Sequence, residues 1–425
     1  MPFTPNFFQS QDNTEELKSI LGALIKYRRI EESMSLSFVA DILHINKGYL
    51  SEAENGKRFL AKKHIQTLFD FLGSSFVDSP AILYQLRASL DQIFELSIDF
   101  HYEKIQELCI DILKERVTYE SSYGFFTFHL IELIYEILIH HDHETIEKIE
   151  SLFSAYAGIL TTTEKTYLFY FLAEYYIRQS DFQKGEGYIQ QAYSLLKTGM
   201  HPKIFALLQA LEATSLCHQG QSGKAFLQIT KSLNYFKNTL YFKRIVFIHY
   251  ITGICLLGMR LFEEAKQHFT NLLPNFPDPD SVMAQSILAH LSWCYLLIQE
   301  YEKALTYANM AFEHGADSIE LDVCQAFSFF SLKQYEACLA VVERCANEKQ
   351  KSYLFDFLQL IQYKIEHSEP DFLQTANAVL AQAEKKKNKE IEKMTLGLIV
   401  NFYEESHQLD QSHLHLKQLT QLLAA

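Results

Sequence analysis

The feature that most constrains this chain is a turn that returns at nearly constant intervals. Segments starting at Tyr102, His143, Phe182, Ser222, Phe262, Tyr301 and Tyr335 are each followed, three residues on, by a small or compact side chain. These are Ile105, Ile146, Gly185, Ala225, Ala265, Ala304 and Cys338, with weaker echoes of the turn at Asp371 and Leu409. Successive starts lie 41, 39, 40, 40, 39, 34, 36 and 38 residues apart. A period of that size fits stacked helix pairs, in which each pair completes its apolar burial against its neighbours. Pro and Gly number only 8 and 15 among 425 residues, which favours long uninterrupted helices over a turn-rich β fold. The expected fold class is all-α.

Ahead of the repeats, Ser35 to Gly56 (SLSFVADILHINKGYLSEAENG) reads as a helix-turn-helix. Ser35 caps a helix whose apolar positions are Leu36, Val39, Ala40 and Leu43, and Ile45 and Leu50 carry the seam into a second helix capped by Asn46. A small side chain at Ala40 lets the two helices cross closely. Leu17, Leu21, Leu24 and Ile25 supply a preceding helix, and Leu60, Ile65, Leu68, Phe69 and Leu72 a closing one. From Leu17 to Lys63 there are nine basic and five acidic residues, whereas the whole chain carries −14. A locally basic module on an acidic body suits one end docking on DNA while the remainder stays clear of phosphates.

Residues 15 to 73 resemble the Xre/Cro-type DNA-binding domain, on Leu21, Arg28-Arg29, Leu36, Ala40, Leu43, Ile45, Tyr49-Leu50-Ser51, Glu54 and Gly56-Lys57-Arg58. The resemblance implies that the second helix enters the major groove, with Lys47, Gly48 and Tyr49 facing base edges. It also implies that Ser35, Ser37, Ser51, Lys57 and Arg58 hold the DNA backbone, with the cap Asn46 counted in the same face. His44 stands where the family's turn usually has Gly; His is among the residues that tolerate a left-handed conformation.

The periodic part resembles tetratricopeptide repeats, most clearly in AEYYIRQSDFQKGEGYIQQAY, LLGMRLFEEAKQHF and LSWCYLLIQEYEKALTYANMA. That resemblance implies a right-handed superhelix of tetratricopeptide-like helix pairs, its inner wall lined by the first helix of each pair. Counting back from each turn in the repeat's register places Tyr170, Glu174, Arg178, Thr214, His218, Tyr250, Trp293, Phe327, Tyr363 and Asn401 on that wall. Aromatic and amide groups there suit an extended peptide, and Arg178 suits a carboxylate.

Together the halves resemble the peptide-pheromone receptors grouped as the Rap, Rgg, NprR, PlcR and PrgX family. The resemblance implies a cytoplasmic transcription regulator, usually a homodimer, that binds a double-stranded DNA operator and a short signalling peptide. The asparagines that family members use on a peptide backbone have one counterpart on the wall, Asn401. The expected organisation is a DNA-binding domain over 1–73, a linker and linker helix over 74–95 with its hinge in Gly73 to Ser79, and a repeat domain over 96–425. The alternative is a repeat adaptor or response-regulator antagonist working through protein contacts.

Other features narrow the function. Seven cysteines are scattered without a CxxC pair, as in proteins of a reducing cytoplasm. The first residues lack the basic and apolar regions of a signal peptide, and no run approaches the roughly 20 apolar residues of a membrane span. His140 to Glu144 (HHDHE) has ligand-type residues but falls on a turn without a second cluster, so no metal is expected. Lys385 to Lys389 is read as a solvated helix end. With no GxxxxGK[ST], GxSxG or HExxH motif, neither an enzyme nor a cofactor is expected.

Overall fold

The computed structural model describes residues 12–196, 201–276, 278, 280–346, 352–386 and 388–424. The N-terminal stretch through residue 11 and Lys387 in the basic run lie outside the described residues. Among the described residues the chain is helical throughout, and its one trace of β pairing is an isolated parallel bridge between Val77 and Ser122. None of the described helices is long and apolar enough to cross a membrane.

The N-terminal module contains α1 (Asp12–Glu31), α2 (Leu36–Ile42), α3 (Lys47–Glu54) and α4 (Lys62–Phe71). Both expected caps form: Phe38 N–H donates to Ser35 Oγ at 3.1 Å, and Tyr49 N–H to Asn46 Oδ1 at 2.7 Å. His44 takes the left-handed conformation the turn demands, with φ +52°. Ile20, Leu21, Leu24, Val39, Ala40, Leu50, Ala53, Leu68 and Phe69 form the buried interior. Two further devices lock it. A Cβ on Gly22 would lie 2.2 Å from the carbonyl oxygen of Ala53, so only Gly lets α1 approach α3 this closely. Arg29 grips the buried Glu54 in a two-pronged ion pair, Nε to Oε1 at 2.7 Å and Nη2 to Oε2 at 2.9 Å, and also donates to the carbonyl of Met34.

The segment from Gly73 to Ser79 leads to a helix, α5 (Pro80–Ile98). It is anchored rather than slack: Val77 N–H donates to Ser121 O at 2.8 Å, and the ring of Phe76 sits between those of Phe69 and Tyr123. The N-terminal module is likewise docked on α5 and later helices of the first unit. Tyr27 packs on Phe125, Arg28 donates to the carbonyl of Glu120 at 3.1 Å, and Arg87 joins Glu16 to the buried Glu164.

From residue 102 onward, helix pairs match the turns read from the sequence. Second helices begin at Tyr102, His143, Phe182, Ser222, Phe262, Tyr301, Tyr335 and Leu409, and the echo at Asp371 falls inside a helix that begins at Glu369. The compact residues Ile105, Ile146, Ala225, Ala265, Ala304 and Cys338 are completely buried. At Gly185 an added Cβ would meet Ile177 at 2.8 Å, so this close approach admits no larger residue without displacement.

Each turn shares one more element. The residue two before each second helix has a positive φ: Phe100, His141, Ser180, Gly220, Arg260, Gln299, Lys333, His367 and His407. Most are followed by an amide that reaches back five residues, as Asp181 N–H does to Tyr176 O (2.9 Å) and Gln334 N–H to Phe329 O (2.9 Å). This satisfies the orphan carbonyls at the first helix's end and stops it cleanly.

The chain divides into two compact units, Met1–Ser215 with Lys231–Ile245, and Leu216–Thr230 with Val246–Ala425. In the first, Phe94, Phe125, Phe128 and Phe171 are core residues, with Phe94 stacked on Tyr167 at 4.0 Å. In the second, Phe269, Leu291, Phe357 and Phe372 belong to one continuous apolar cluster.

Candidate functional site

The first candidate surface is the exposed side of the helix-turn-helix. Ser35, Ser37, Asn46, Lys47, Gly48, Lys57 and Arg58 are exposed there, and Ser51 is half-buried. The basic excess is smaller in effect than the count implies. Lys18 pairs with Glu15, Arg28 with Glu31, Arg29 with Glu54, and Lys62 with Asp78. Among the described residues Lys47, Lys57, Lys63 and the half-buried Lys26 of α1 have no ion-pair partner, and Arg58 has only a loose one, 3.9 Å from Glu52 with both side chains more than half exposed. Lys47 and Lys57 bracket α3, so the unneutralised charge gathers around the helix expected to enter a groove.

Tyr49 is half-buried and engaged within the module. Its hydroxyl donates to Phe59 O at 3.0 Å and accepts from Ala61 N–H at 3.1 Å, while the Arg58 guanidinium lies 4.6 Å from its ring centre. With both hydrogen-bonding directions taken, Tyr49 ties α3 to the chain entering α4 and carries Arg58 on its face. Its hydroxyl is thus engaged within the module, bracing α3 against the segment that follows.

The second candidate lies within the second unit. Three successive turns contribute their left-handed residues, Arg260, Gln299 and Lys333, to one neighbourhood faced by the helix Lys389–Glu405. Arg260 Nε bonds Glu390 Oε1 at 3.0 Å. Beside this pair is a cavity of about 400 Å³ lined by Gln299, Lys333, Lys393, Asn401 and Ser331, with an apolar floor that includes Phe327, Phe330, Met394 and Leu398. Leu419, from the last helix, also lines it. Lys333 is exposed and Lys393 half-buried, and neither has an ion-pair partner among the described residues. Among the described lining residues Glu390 is the only carboxylate, and Arg260 holds one of its oxygens.

No family model matches the sequence, and no curated protein matches it either. Solved structures do. A Rap protein complexed with competence and sporulation factor superposes with a TM-score of 0.61 at 16% identity, covering 80% of this chain and 98% of that one. The apo form of the quorum sensor NprR from B. thuringiensis gives 0.61 at 14% identity over 80% and 99%. NprR in complex with its cognate peptide NprX gives 0.55 at 16% over 80% and 99%. The chain has the tetratricopeptide-repeat fold of the Rap and NprR proteins.

Within that fold the ten expected wall residues separate. Phe327 and Asn401 both line the cavity. Tyr170 is a correction: it is 4% exposed, edge-on to Phe94 and Phe171, and its burial pushes the hydroxyl pKa well up. It belongs to the core and offers a ligand no surface. Arg178, expected to await a carboxylate, is paired with Glu174 one helical turn earlier. Thr214 donates its hydroxyl to Ala210 O, and His218 is exposed at the end of its helix. Tyr250 bonds His290 at 3.2 Å, and Trp293 and Tyr363 pack half-buried on the second unit's core. The ligand-type run at residues 140 to 144 disperses: His140 bonds Glu136, Asp142 caps the following helix, and His143 bonds Tyr175.

Sequence reasoning missed Lys333, Lys393 and Gln299. Lys333 and Gln299 occupy turns rather than wall helices, so a register counted along helices passes over them. The signal for these two was present in position: both stand two residues before a second helix.

Proposed function

We propose that this chain is a DNA-binding transcriptional regulator whose repeat domain binds a short signalling peptide, and that the peptide changes operator affinity. The observation that carries the DNA half is the set Lys47, Lys57 and Arg58 around α3, the first two with no ion-pair partner among the described residues and the third with only a loose one. Support for the peptide half comes from the fold shared with NprR and Rap, which were solved with NprX and with competence and sporulation factor, and from the partly apolar cavity at Phe327 and Asn401.

In this reading Lys47 and Gly48 meet base edges at the start of α3. Ser35, Ser37, Asn46, Ser51, Lys57 and Arg58 position the DNA backbone, and Tyr49 buttresses α3. A homodimer working in the cytoplasm would present two such helices to two half-sites. A peptide shifts operator binding only through unequal affinity for two arrangements of the chain. The working boundaries are those expected from the sequence, 1–73 for DNA, 74–95 for connection and 96–425 for the peptide.

The test is selection of duplexes from a random pool by the full chain, followed by titration against salt. Lys47→Ala with Arg58→Ala should weaken binding and flatten the slope of log affinity against log salt, because fewer counterions are released. A variant that retains both would overturn the assignment of this face. A second reading, regulation through protein contacts, draws on the exposed rings of Phe38 and Phe71, which meet edge-on at 6.2 Å. It gains if no duplex is enriched.

A further inference from the structure

We infer that the cavity between the turns at Gln299 and Lys333 and the helix Lys389–Glu405 takes the carboxylate end of a short peptide whose last side chain is apolar. The inference rests on the peptide-receptor reading above and names which part of the ligand this site holds.

Size gives the first step. At about 400 Å³ the cavity is near the low end of the roughly 300–1,000 Å³ range of small-molecule sites, so it takes an end of a peptide and not its length. Charge decides which end. Lys333 and Lys393 bring two ammonium groups without ion-pair partners among the described residues, against a single lining carboxylate, Glu390, one oxygen of which Arg260 holds. On a chain of net charge −14 this is a local positive site, attractive to a carboxylate and repulsive to an amino terminus.

The rest of the lining fits that end. Leu296, Leu297, Met394, Leu398 and Phe327 offer apolar contact to a final side chain, and the side-chain amides of Gln299 and Asn401 offer partners to the peptide bond before it. Gly397 helps, because nothing lies within 4 Å of where its Cβ would stand, leaving open space beside the helix backbone.

Lys333 also provides an unusual control. It holds φ +61°, a conformation that strains any residue with a Cβ, so Lys333→Gly removes the ammonium while relaxing the backbone. Loss of binding in that variant cannot then be attributed to a weakened fold.

The experiment uses the full chain and two random hexapeptide libraries, identical except that one ends in a free carboxylate and the other in an amide. Bound peptides are read by mass spectrometry. Enrichment from the free-acid library, with apolar final residues, is expected. Selected peptides should lose about tenfold or more in affinity on amidation, in Lys393→Met and in Lys333→Gly, while the Lys333→Gly melting temperature holds or rises. Equal enrichment from both libraries would overturn the carboxylate anchor and leave the peptide-receptor reading standing. Free-acid peptides that bind both lysine variants with unchanged affinity would do the same. Enrichment from neither library would overturn both.

Discussion

Arg260 and Glu390 are joined by a 3.0 Å ion pair that ties a repeat turn to the first helix of a much later pair. Only one oxygen of Glu390 is served; Oε2 is buried with no hydrogen-bond partner. Loss of Arg260 would leave a mostly buried carboxylate with neither oxygen satisfied, so Arg260→Ala should destabilise the second unit by about 1–3 kcal/mol. Arg260 also holds φ +65°, which Gly adopts without strain. Arg260→Gly is therefore expected to cost about 1 kcal/mol less than Arg260→Ala. Urea denaturation of the two variants measures the difference, and equal losses would mean that the turn stores no strain.

Gly22 faces the carbonyl of Ala53 so closely that an added Cβ would sit 2.2 Å away, with Gly56 N a further 3.1 Å neighbour. Both are backbone atoms, so the strain cannot be relieved by rotating a side chain. Gly22→Ala should cost on the order of 1–3 kcal/mol by overpacking and push α3 from its seat. Selected duplexes should then bind more weakly although no residue of the exposed face has changed. Wild-type DNA affinity in a folded Gly22→Ala protein would show that α1 and α3 can separate freely.

Legibility in the sequence depends on where each signal resides. The small residue three positions into each second helix is a local requirement of close packing, and it located eight of the nine helix starts. The helix-turn-helix announced itself through caps at Ser35 and Asn46, which act within three residues. Wall and core were harder to separate. In the helix Thr162–Arg178 the buried residues Thr166, Tyr167, Leu168, Tyr170, Phe171, Leu172, Ala173, Tyr175, Tyr176 and Ile177 run almost without a break, so there is no polar stripe to orient it. Tyr170 was misplaced for that reason. The left-handed turn residues stayed hidden because eight of the nine carry side chains, whereas the usual signal for that conformation is Gly or Asn. Arg29 with Glu54 and Arg260 with Glu390 are tertiary pairs, and nothing local in the sequence announces them.

His290 lies flat against Phe269, with its Nε2 and the Tyr250 hydroxyl hydrogen-bonded at 3.2 Å, and burial lowers its pKa from 6.5 to about 4. The folded protein therefore keeps His290 neutral while the unfolded chain protonates it near pH 6.5. Between these values the unfolded state binds more protons, so stability is full above about pH 6.5 and falls as pH drops toward 4. Burial lowers His249 and His268 too, adding to the effect in the same direction. The contribution of His290 is on the order of 1–3 kcal/mol. His290→Gln should flatten part of the decline in denaturation midpoints between pH 6.5 and 4.5, and an unaltered decline would remove His290 from the account.

Cys217 and Cys255 bring their sulfur atoms within 3.4 Å from neighbouring first helices, Pro202–His218 and Phe242–Gly258. Cys255 is buried and Cys217 partly exposed, and the hydrogen bond between them lowers the Cys217 pKa, so Cys217 is the thiol that reacts first. An azodicarboxamide oxidant should attach at the Cys217 sulfur and then be displaced by Cys255. This closes a disulfide as the two thiols give up two protons and two electrons to form the hydrazine. The other cysteines are buried, with burial raising Cys109, Cys294, Cys324 and Cys338, so they should react slowly. The expected result is one linked peptide pair, Cys217 with Cys255, and a mass loss of two hydrogens that dithiothreitol reverses. In Cys217→Ser the oxidised intact mass should stay at that of the reduced protein. A linkage formed between any other pair, or no mass loss in the unsubstituted chain, would show that the two sulfurs do not meet in solution.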